Sequence, residues 1–322
     1  VLVVGCGSIG QRHARLLAER PEIEVWVCDT LPDNLQAALA QIPGARPWTD
    51  YPAALTAGPD AVFVCTPNHL HRPLAEAALA AGCHVLCEKP LADTLSNAQA
   101  LAQAAAATDR YFCVGYSLRC HGGLRRVLEI VAGGSLGTLV GGRAMVGTYF
   151  TLLCATTPYR FTEPNALLVD YTHLLDYLRV IFGDLQRVSA ESATLGDLEL
   201  KPPPNLFSLL LRYTSGALVQ CHLDYVQHPQ RHTLELFGDR QTLVYDFQTG
   251  ELRLYHRDRP GYEVETVAVG RDDIYRTQIS EFLRGIQGEA PPLATAADGV
   301  AALLTAQAAV TAATTARAVG VS

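Results

Sequence analysis

The segment Val1–Glu19, VLVVGCGSIGQRHARLLAE, constrains the fold more than any other stretch of this chain. Four apolar residues run into Gly5, Gly7 and Gly10 in a GxGxxG pattern, and an amphipathic helical repeat follows. A strand that enters a helix through such a turn opens a parallel α/β sheet. Gly5 permits the tight turn, Gly7 lets the backbone approach a pyrophosphate, and Gly10 lets the helix pack closely on the strand. The helix N-terminus at Ser8 and Ile9 offers unpaired N–H groups and a partial positive charge to phosphates. Asp29 follows about 20 residues on, at the end of the next apolar run, where a carboxylate accepts from both adenosine ribose hydroxyls and repels a 2′-phosphate. Thr30, Leu31 and Pro32 supply no cation for that phosphate. The expected cofactor is therefore NAD, with NADP less favoured.

The first 118 residues alternate short β-branched runs with Ala/Leu-rich stretches. Strands are expected at 1–4, 24–28, 61–65, 84–87 and 111–114, and helices at 9–19, 34–41, 70–81 and 95–106. Strands this apolar imply helices on both faces. After Leu118 the pattern changes. A helix is expected at 122–132, a strand near 139–149 and one long helix at 167–182. Alternating strands of an open, mainly antiparallel sheet then run from Leu185 to Val269, and helices at 274–286 and 296–318 close the chain. A length of 322 residues suits two domains at about 150 residues each. They are expected at 1–118, binding NAD(P), and at 119–322, binding substrate and a partner copy, and the C-terminal helix could pack back on the first.

Hydrophobic residues make up 49% and charged residues 18%, which favours a packed globular chain. The net charge of −7 is spread out, with no basic block, so nucleic acid and acidic membranes are not expected partners. No uninterrupted apolar run approaches the ~18 residues of a membrane helix. The first residues already read as strand and turn, so no signal peptide is expected. Without an initiator Met, a few residues are expected before Val1. Nine cysteines occur with no CxxC pair, which reads as free thiols in a reducing, cytoplasmic compartment and not as a disulfide framework or a zinc site. No metal site is expected.

Two more segments end strands with polar turns: VFVC before Thr66, Pro67, Asn68, His69, Leu70 and His71, and HVLC before Glu88, Lys89 and Pro90. In open α/β sheets such turns project toward the ligand crevice. GCGSIGQRH, CTPNHLH, CEKPL, GYSLRCH and DYTHLLDYL, in that order, resemble the glucose–fructose oxidoreductase / inositol dehydrogenase / rhizopine-catabolism (Gfo/Idh/MocA) family, and HLDYVQHPQRHTLELFG is similar to it as well.

The resemblance implies an α/β fold: an N-terminal Rossmann doubly wound parallel sheet, then a C-terminal α+β domain with an open, mainly antiparallel sheet. It implies hydride transfer between NAD and a hydroxyl or keto carbon of a sugar, sugar derivative or cyclitol. Thr66, Pro67, Asn68, His71, Glu88 and Lys89 would flank the cofactor. Lys89 would reach the reacting oxygen, where an ammonium stabilises a developing alkoxide. His173 is the natural proton acceptor, since an imidazole titrates near 6.5. Asp170, three residues before it, would share its helix face and orient it or bind a substrate hydroxyl. Tyr177 lies one turn further on that face and is a candidate for the substrate pocket. A homodimer or homotetramer is implied too.

The chain departs from the family pattern in the three-residue spacing of Asp170 and His173, in Pro164–Asn165–Ala166 where a Gly run is usual, and in Ser117 where Asn is frequent. Arg119, Tyr159 and Arg160 are further candidates for the substrate pocket, and Asp224, Tyr225 and Arg231 carry less weight. His13 reads as a packing or helix-surface residue. Two other readings stay open: an NADPH-dependent carbonyl or imine reductase on the same scaffold, and a catalytically silent dinucleotide sensor.

Overall fold

The structure, a computed structural model, describes residues 1–153 and 165–321. Tyr159 and Arg160 lie outside the described residues. The chain forms two compact units, Val1–Cys120 with Arg271–Leu303, and His121–Gly270 with Leu304–Ser322.

In the first unit, strands β1 (Leu2–Val4), β2 (Trp26–Cys28), β3 (Arg46–Trp48), β4 (Ala61–Val64), β5 (His84–Cys87) and β6 (Phe112–Val114) are all parallel. Their order is β3-β2-β1-β4-β5-β6, so the winding reverses between β1 and β4. Alternate residues feed two cores. Val3, Phe63 and Leu86 pack on one face with Ile279 and Phe282. Leu2, Val62 and Val85 pack on the other with Ala75 and Ala98. With both faces covered, neither set of side chains can be polar, which is why these strands read as unbroken apolar runs.

Local signals start the helices. Pro32 opens Pro32–Gln41, and the Asp50 side chain accepts from Ala53 N (2.7 Å) to cap Tyr51–Thr56. Strand β3 and the helix Tyr51–Thr56 were not expected from sequence. The strand is three residues with Pro47 at its centre, tolerated because β3 is an edge. The segment Arg271–Leu303 completes the unit. Its helix Arg271–Ile286 packs Phe282 edge-on against Phe63 (5.0 Å), and a side chain at Gly299 would lie 2.8 Å from Leu91 Cβ. The helix Ala296–Thr315 is long and apolar enough to cross a membrane by length and composition, but Ala302, Leu303, Ala309 and Ala312 are buried in the fold.

In the second unit, β7 (Leu139–Gly147), β8 (Leu185–Ala193), β9 (Leu206–Tyr213), β10 (Leu218–Asp224), β11 (Arg231–Gly238), β12 (Gln241–Asp246), β13 (Glu251–His256), β14 (Tyr262–Thr266) and β15 (Val319–Gly320) form one sheet. The order is β14-β13-β12-β11-β7-β10-β9-β8-β15, antiparallel except where β7 and β10 run parallel. Leu209, Leu211, Val219, Leu234 and Leu243 line the buried face, while Leu210 and Leu218 stay exposed on the other. The helix Thr172–Phe182 covers the buried face, with Phe182 stacked on Tyr213 (5.2 Å) and Tyr177 on Phe247 (5.9 Å).

The single helix expected over 167–182 is a correction. It is two helices, Ala166–Asp170 and Thr172–Phe182, joined at Tyr171 (φ −98°, ψ 20°). Thr172 Oγ1 donates to Val169 O (3.1 Å), a back-bond that competes with the helical ladder, and the Tyr171 ring rests against Tyr225 (5.9 Å). Asp170 and His173 therefore do not share one continuous helix face.

This core holds two histidines. The His232 ring lies flat on Phe247 (3.7 Å, 5°), and His121 packs on the same ring (5.1 Å) while its Nδ1 accepts from Leu124 N (3.3 Å). Burial pushes His121 down to about 4; burial, with His121 nearby, pushes His232 down to about 3. An unfolded imidazole takes up its proton near 6.5. As pH falls below 6.5 the unfolded chain binds more protons, so this contribution to stability is complete above 6.5 and shrinks with acidification. Urea unfolding at pH 7.5 and 5.5 is expected to show the native protein losing about 1 kcal/mol more than His232→Phe over that interval. Equal losses would remove the buried imidazole as a cause.

Candidate functional site

The dinucleotide end of the site is built where the sheet reverses. Gly5 N donates to Cys28 O (2.8 Å), and Cys65 N to Val4 O (2.8 Å), so the first turn is pinned to both neighbouring strands. Gly5 has φ +89°, and a Cβ there would lie 2.8 Å from the Cys65 carbonyl and Thr66 N. At Gly10 a Cβ would collide with Gly5 O. Gly7 differs, since nothing stands within 4 Å of where its Cβ would be, and no side chain caps the helix Ser8–Leu17 that it starts. The open space over Gly7 and the uncapped N–H groups at Ser8 and Ile9 suit a pyrophosphate.

Asp29 lies beside this turn. Its Oδ2 accepts from Cys6 N (2.7 Å) and Asn34 Nδ2 (3.2 Å), and its Oδ1 from Leu31 N (2.8 Å). Two carboxylate oxygens offer about four acceptor sites, so capacity remains for ribose hydroxyls. Asn34 was not singled out from sequence. Its position one helical turn into Pro32–Gln41 is a signal only once Asp29 is known to sit at that helix N-terminus.

Beyond β4, Thr66 Oγ1 is buried with no hydrogen-bond partner, an orphan that a ligand can satisfy. Pro67 leads into a short 3₁₀ turn, Asn68–Leu70. His71 is 1% exposed, with Nδ1 2.8 Å from Pro90 O and Nε2 2.9 Å from Thr66 O. Burial pushes its pKa down, against the pull of the two carbonyls. A neutral imidazole has one N–H, so His71 donates to one of these carbonyls and lies against the other, between the Thr66 turn and the Lys89 turn.

Beyond β5, the Glu88 carboxylate is nearly buried. Oε1 lies 2.8 Å from His13 Nε2, and Oε2 accepts from Lys89 N (3.2 Å). His13 is fully buried, so the helix-surface reading of it is corrected. Lys89 is half-buried. Arg119 donates to Leu293 O and pairs with Asp298 (3.2 Å), anchoring the segment Arg271–Leu303. Both contacts use one nitrogen of the guanidinium that was expected to meet substrate.

In the second unit, Asp170 is 8% exposed and accepts from the buried Tyr225 hydroxyl. His173 is half-buried on the first turn of the helix Thr172–Phe182. Tyr177 is 1% exposed, and its hydroxyl is 3.4 Å from His232 Nε2. It belongs to the aromatic core, which corrects its assignment to the substrate pocket. Asp224 is 1% exposed and anchors a turn through Val226 N (2.7 Å) and Gln227 N (2.8 Å). Arg231 is exposed. Among the described residues no three His, Cys, Asp or Glu side chains are placed to hold a metal.

A glycine turn at the reversal of a parallel sheet, with an acid at the tip of the adjacent strand, defines a dinucleotide-binding α/β protein. Residues 1–116 match "Oxidoreductase family, NAD-binding Rossmann fold" and residues 164–321 match "Oxidoreductase family, C-terminal alpha/beta domain". The chain belongs to the GFO/IDH/MocA oxidoreductase family. Among its relatives, D-apiose dehydrogenase of Paraburkholderia graminis is 29% identical over 78% of this chain and 66% of its own. The 1,5-anhydro-D-fructose reductase of Ensifer adhaerens is 28% identical over 80% and 79%. Myo-inositol 2-dehydrogenase of Thermotoga maritima is 25% identical over 94% and 92%. A levoglucosan dehydrogenase solved with NADH shares the fold at a TM-score of 0.90, with 20% identity over 100% of this chain and 98% of its own.

Asp29→Ala removes the partner of Cys6 N and the carboxylate expected to accept from the ribose. Fluorescence titration is expected to show NADH binding weakened about tenfold or more, with NADPH affected less. Unaltered NADH affinity would end the assignment of Asp29.

Proposed function

We propose that this oxidoreductase moves a hydride between NAD and a hydroxyl or keto carbon of a sugar, sugar derivative or cyclitol. The observation that carries the reading is the joining of the Gly5–Gly10 turn, the Asp29 carboxylate and the Lys89 turn at the strand tips of one parallel sheet. Family relatives named for D-apiose, 1,5-anhydro-D-fructose and myo-inositol supply the substrate class.

When bound, the nicotinamide accepts or donates the hydride. Gly7, Ser8 and Ile9 would hold the pyrophosphate through backbone N–H groups, and Asp29 the adenosine ribose. The turns after β4 and β5, Thr66–His71 and Glu88–Lys89, would then flank the nicotinamide. Lys89 meets the reacting oxygen and stabilises negative charge as it forms. His173 accepts the hydroxyl proton in oxidation and returns it in reduction. Asp170, fixed by Tyr225, binds a neighbouring substrate hydroxyl or orients His173.

The eight described cysteines are all free and buried, which supports a reducing, cytoplasmic setting. The exposed sheet face carrying Leu210 and Leu218 supports a homodimer or homotetramer.

A panel containing D-apiose, 1,5-anhydro-D-fructose, myo-inositol, free hexoses and sugar acids, followed by NADH absorbance, tests the substrate class. Lys89→Ala is expected to lower kcat about 10³-fold on the substrate found while NADH affinity stays within about threefold. Full turnover by this variant refutes the role of Lys89. Tight NADH binding without turnover of any panel member favours a dinucleotide sensor.

A further inference from the structure

We propose that His13 is a positioning residue for the Lys89 turn, acting through Glu88. The inference rests on the role proposed for Lys89.

His13 sits on the helix Ser8–Leu17, whose first turn faces the pyrophosphate site, and its imidazole is fully buried. The ring is packed edge-on between Phe63 (5.3 Å) and Tyr275 (5.4 Å), which frame it on two sides. Tyr275 is fixed in turn by a hydrogen bond to Ser117. From this position Nε2 meets Glu88 Oε1 at 2.8 Å, while Glu88 Oε2 takes the N–H of Lys89 (3.2 Å).

Gly115 makes room for this arrangement. A Cβ at that position would lie 2.9 Å from Glu88 Cα, Cδ and Oε2. One carboxylate therefore joins the helix that carries the cofactor phosphates to the backbone of the residue that meets the substrate. A buried carboxylate needs both partners, since stripping one leaves an uncompensated charge. His13 thereby sets the rotation of Glu88 and the path of the chain at Lys89, without touching substrate or nicotinamide.

The test compares His13→Phe, which keeps the ring packing but has no donor, with His13→Gln, which keeps an N–H. Glu88 left unpaired can unfold the single Phe variant. The double variant His13→Phe/Glu88→Gln removes that charge and still lacks the link. Native-state hydrogen exchange of the peptide spanning residues 85–92, with and without NADH, needs no substrate. The Phe variants are expected to exchange there about tenfold faster and to lose the protection that NADH confers, while residues 5–12 remain protected.

On the substrate found with the panel, kcat is expected to fall about 10²-fold with KM within about threefold, and His13→Gln to recover most of it. Unchanged exchange and kcat in a folded Phe variant overturn the inference, and so does equal loss in His13→Gln. Lys89→Ala serves as the control. If it is fully active, the reading of Lys89 fails; if it is inactive while His13→Phe is unaffected, only the positioning role fails.

Discussion

The close approach of the Gly5 turn to the end of β4 governs the first unit. There the chain passes within contact of the Cys65 carbonyl and Thr66 N, and the following helix returns over Gly5 O at Gly10. Any side chain at either glycine would push the first helix off the sheet. That helix carries uncapped N–H groups on its first turn and His13 on its second, so its seating determines both. The Asp29 carboxylate belongs to the same arrangement, because it bonds Cys6 N inside the turn before it meets any ligand. Asp29 is thus held in one orientation by the fold itself.

The first unit was legible in the sequence wherever burial on both faces left an unbroken apolar signal, as at β1, β4 and β5. Strand β3, Arg46-Pro47-Trp48, carries no such signal because it is an edge. The turn chemistry was legible too, since Gly5, Asp29 and the Lys89 turn follow strand ends at interpretable spacings. What stayed hidden depends on partners remote in sequence. His13 and Glu88 are 75 residues apart, and Arg119 and Asp298 are 179 apart. Neither side of such a pair shows in its own neighbourhood that a partner exists.

The second unit shows a different limit. Its strands alternate in the sequence because only one sheet face is covered, and that alternation was readable from Leu185 onward. The helical segment over 167–182 was misread because periodicity alone does not register a break. The break comes from the Thr172 back-bond and from Tyr171 resting on Tyr225, a residue supplied just past β10. Tyr225 also holds Asp170, so a residue just past β10 helps to fix this carboxylate. For the same reason the three-residue spacing between Asp170 and His173 carries no geometric meaning of its own.

The turns at the strand tips of the first unit are stiffened chiefly by buried polar contacts. His71 spans the turns after β4 and β5, His13 and Glu88 join the first helix to the turn after β5, and Gly115 N donates to Cys87 O (2.7 Å) from the turn after β6. A neutral hydrogen bond adds only about 1 kcal/mol net and one to a carboxylate about 2, but an unmet buried partner costs as much or more. A network of this kind contributes little to overall stability and strongly penalises displacement of any one turn. Such a balance suits a surface that must present groups to a cofactor and a substrate at fixed distances, since apolar packing alone permits small slides that directional bonds forbid.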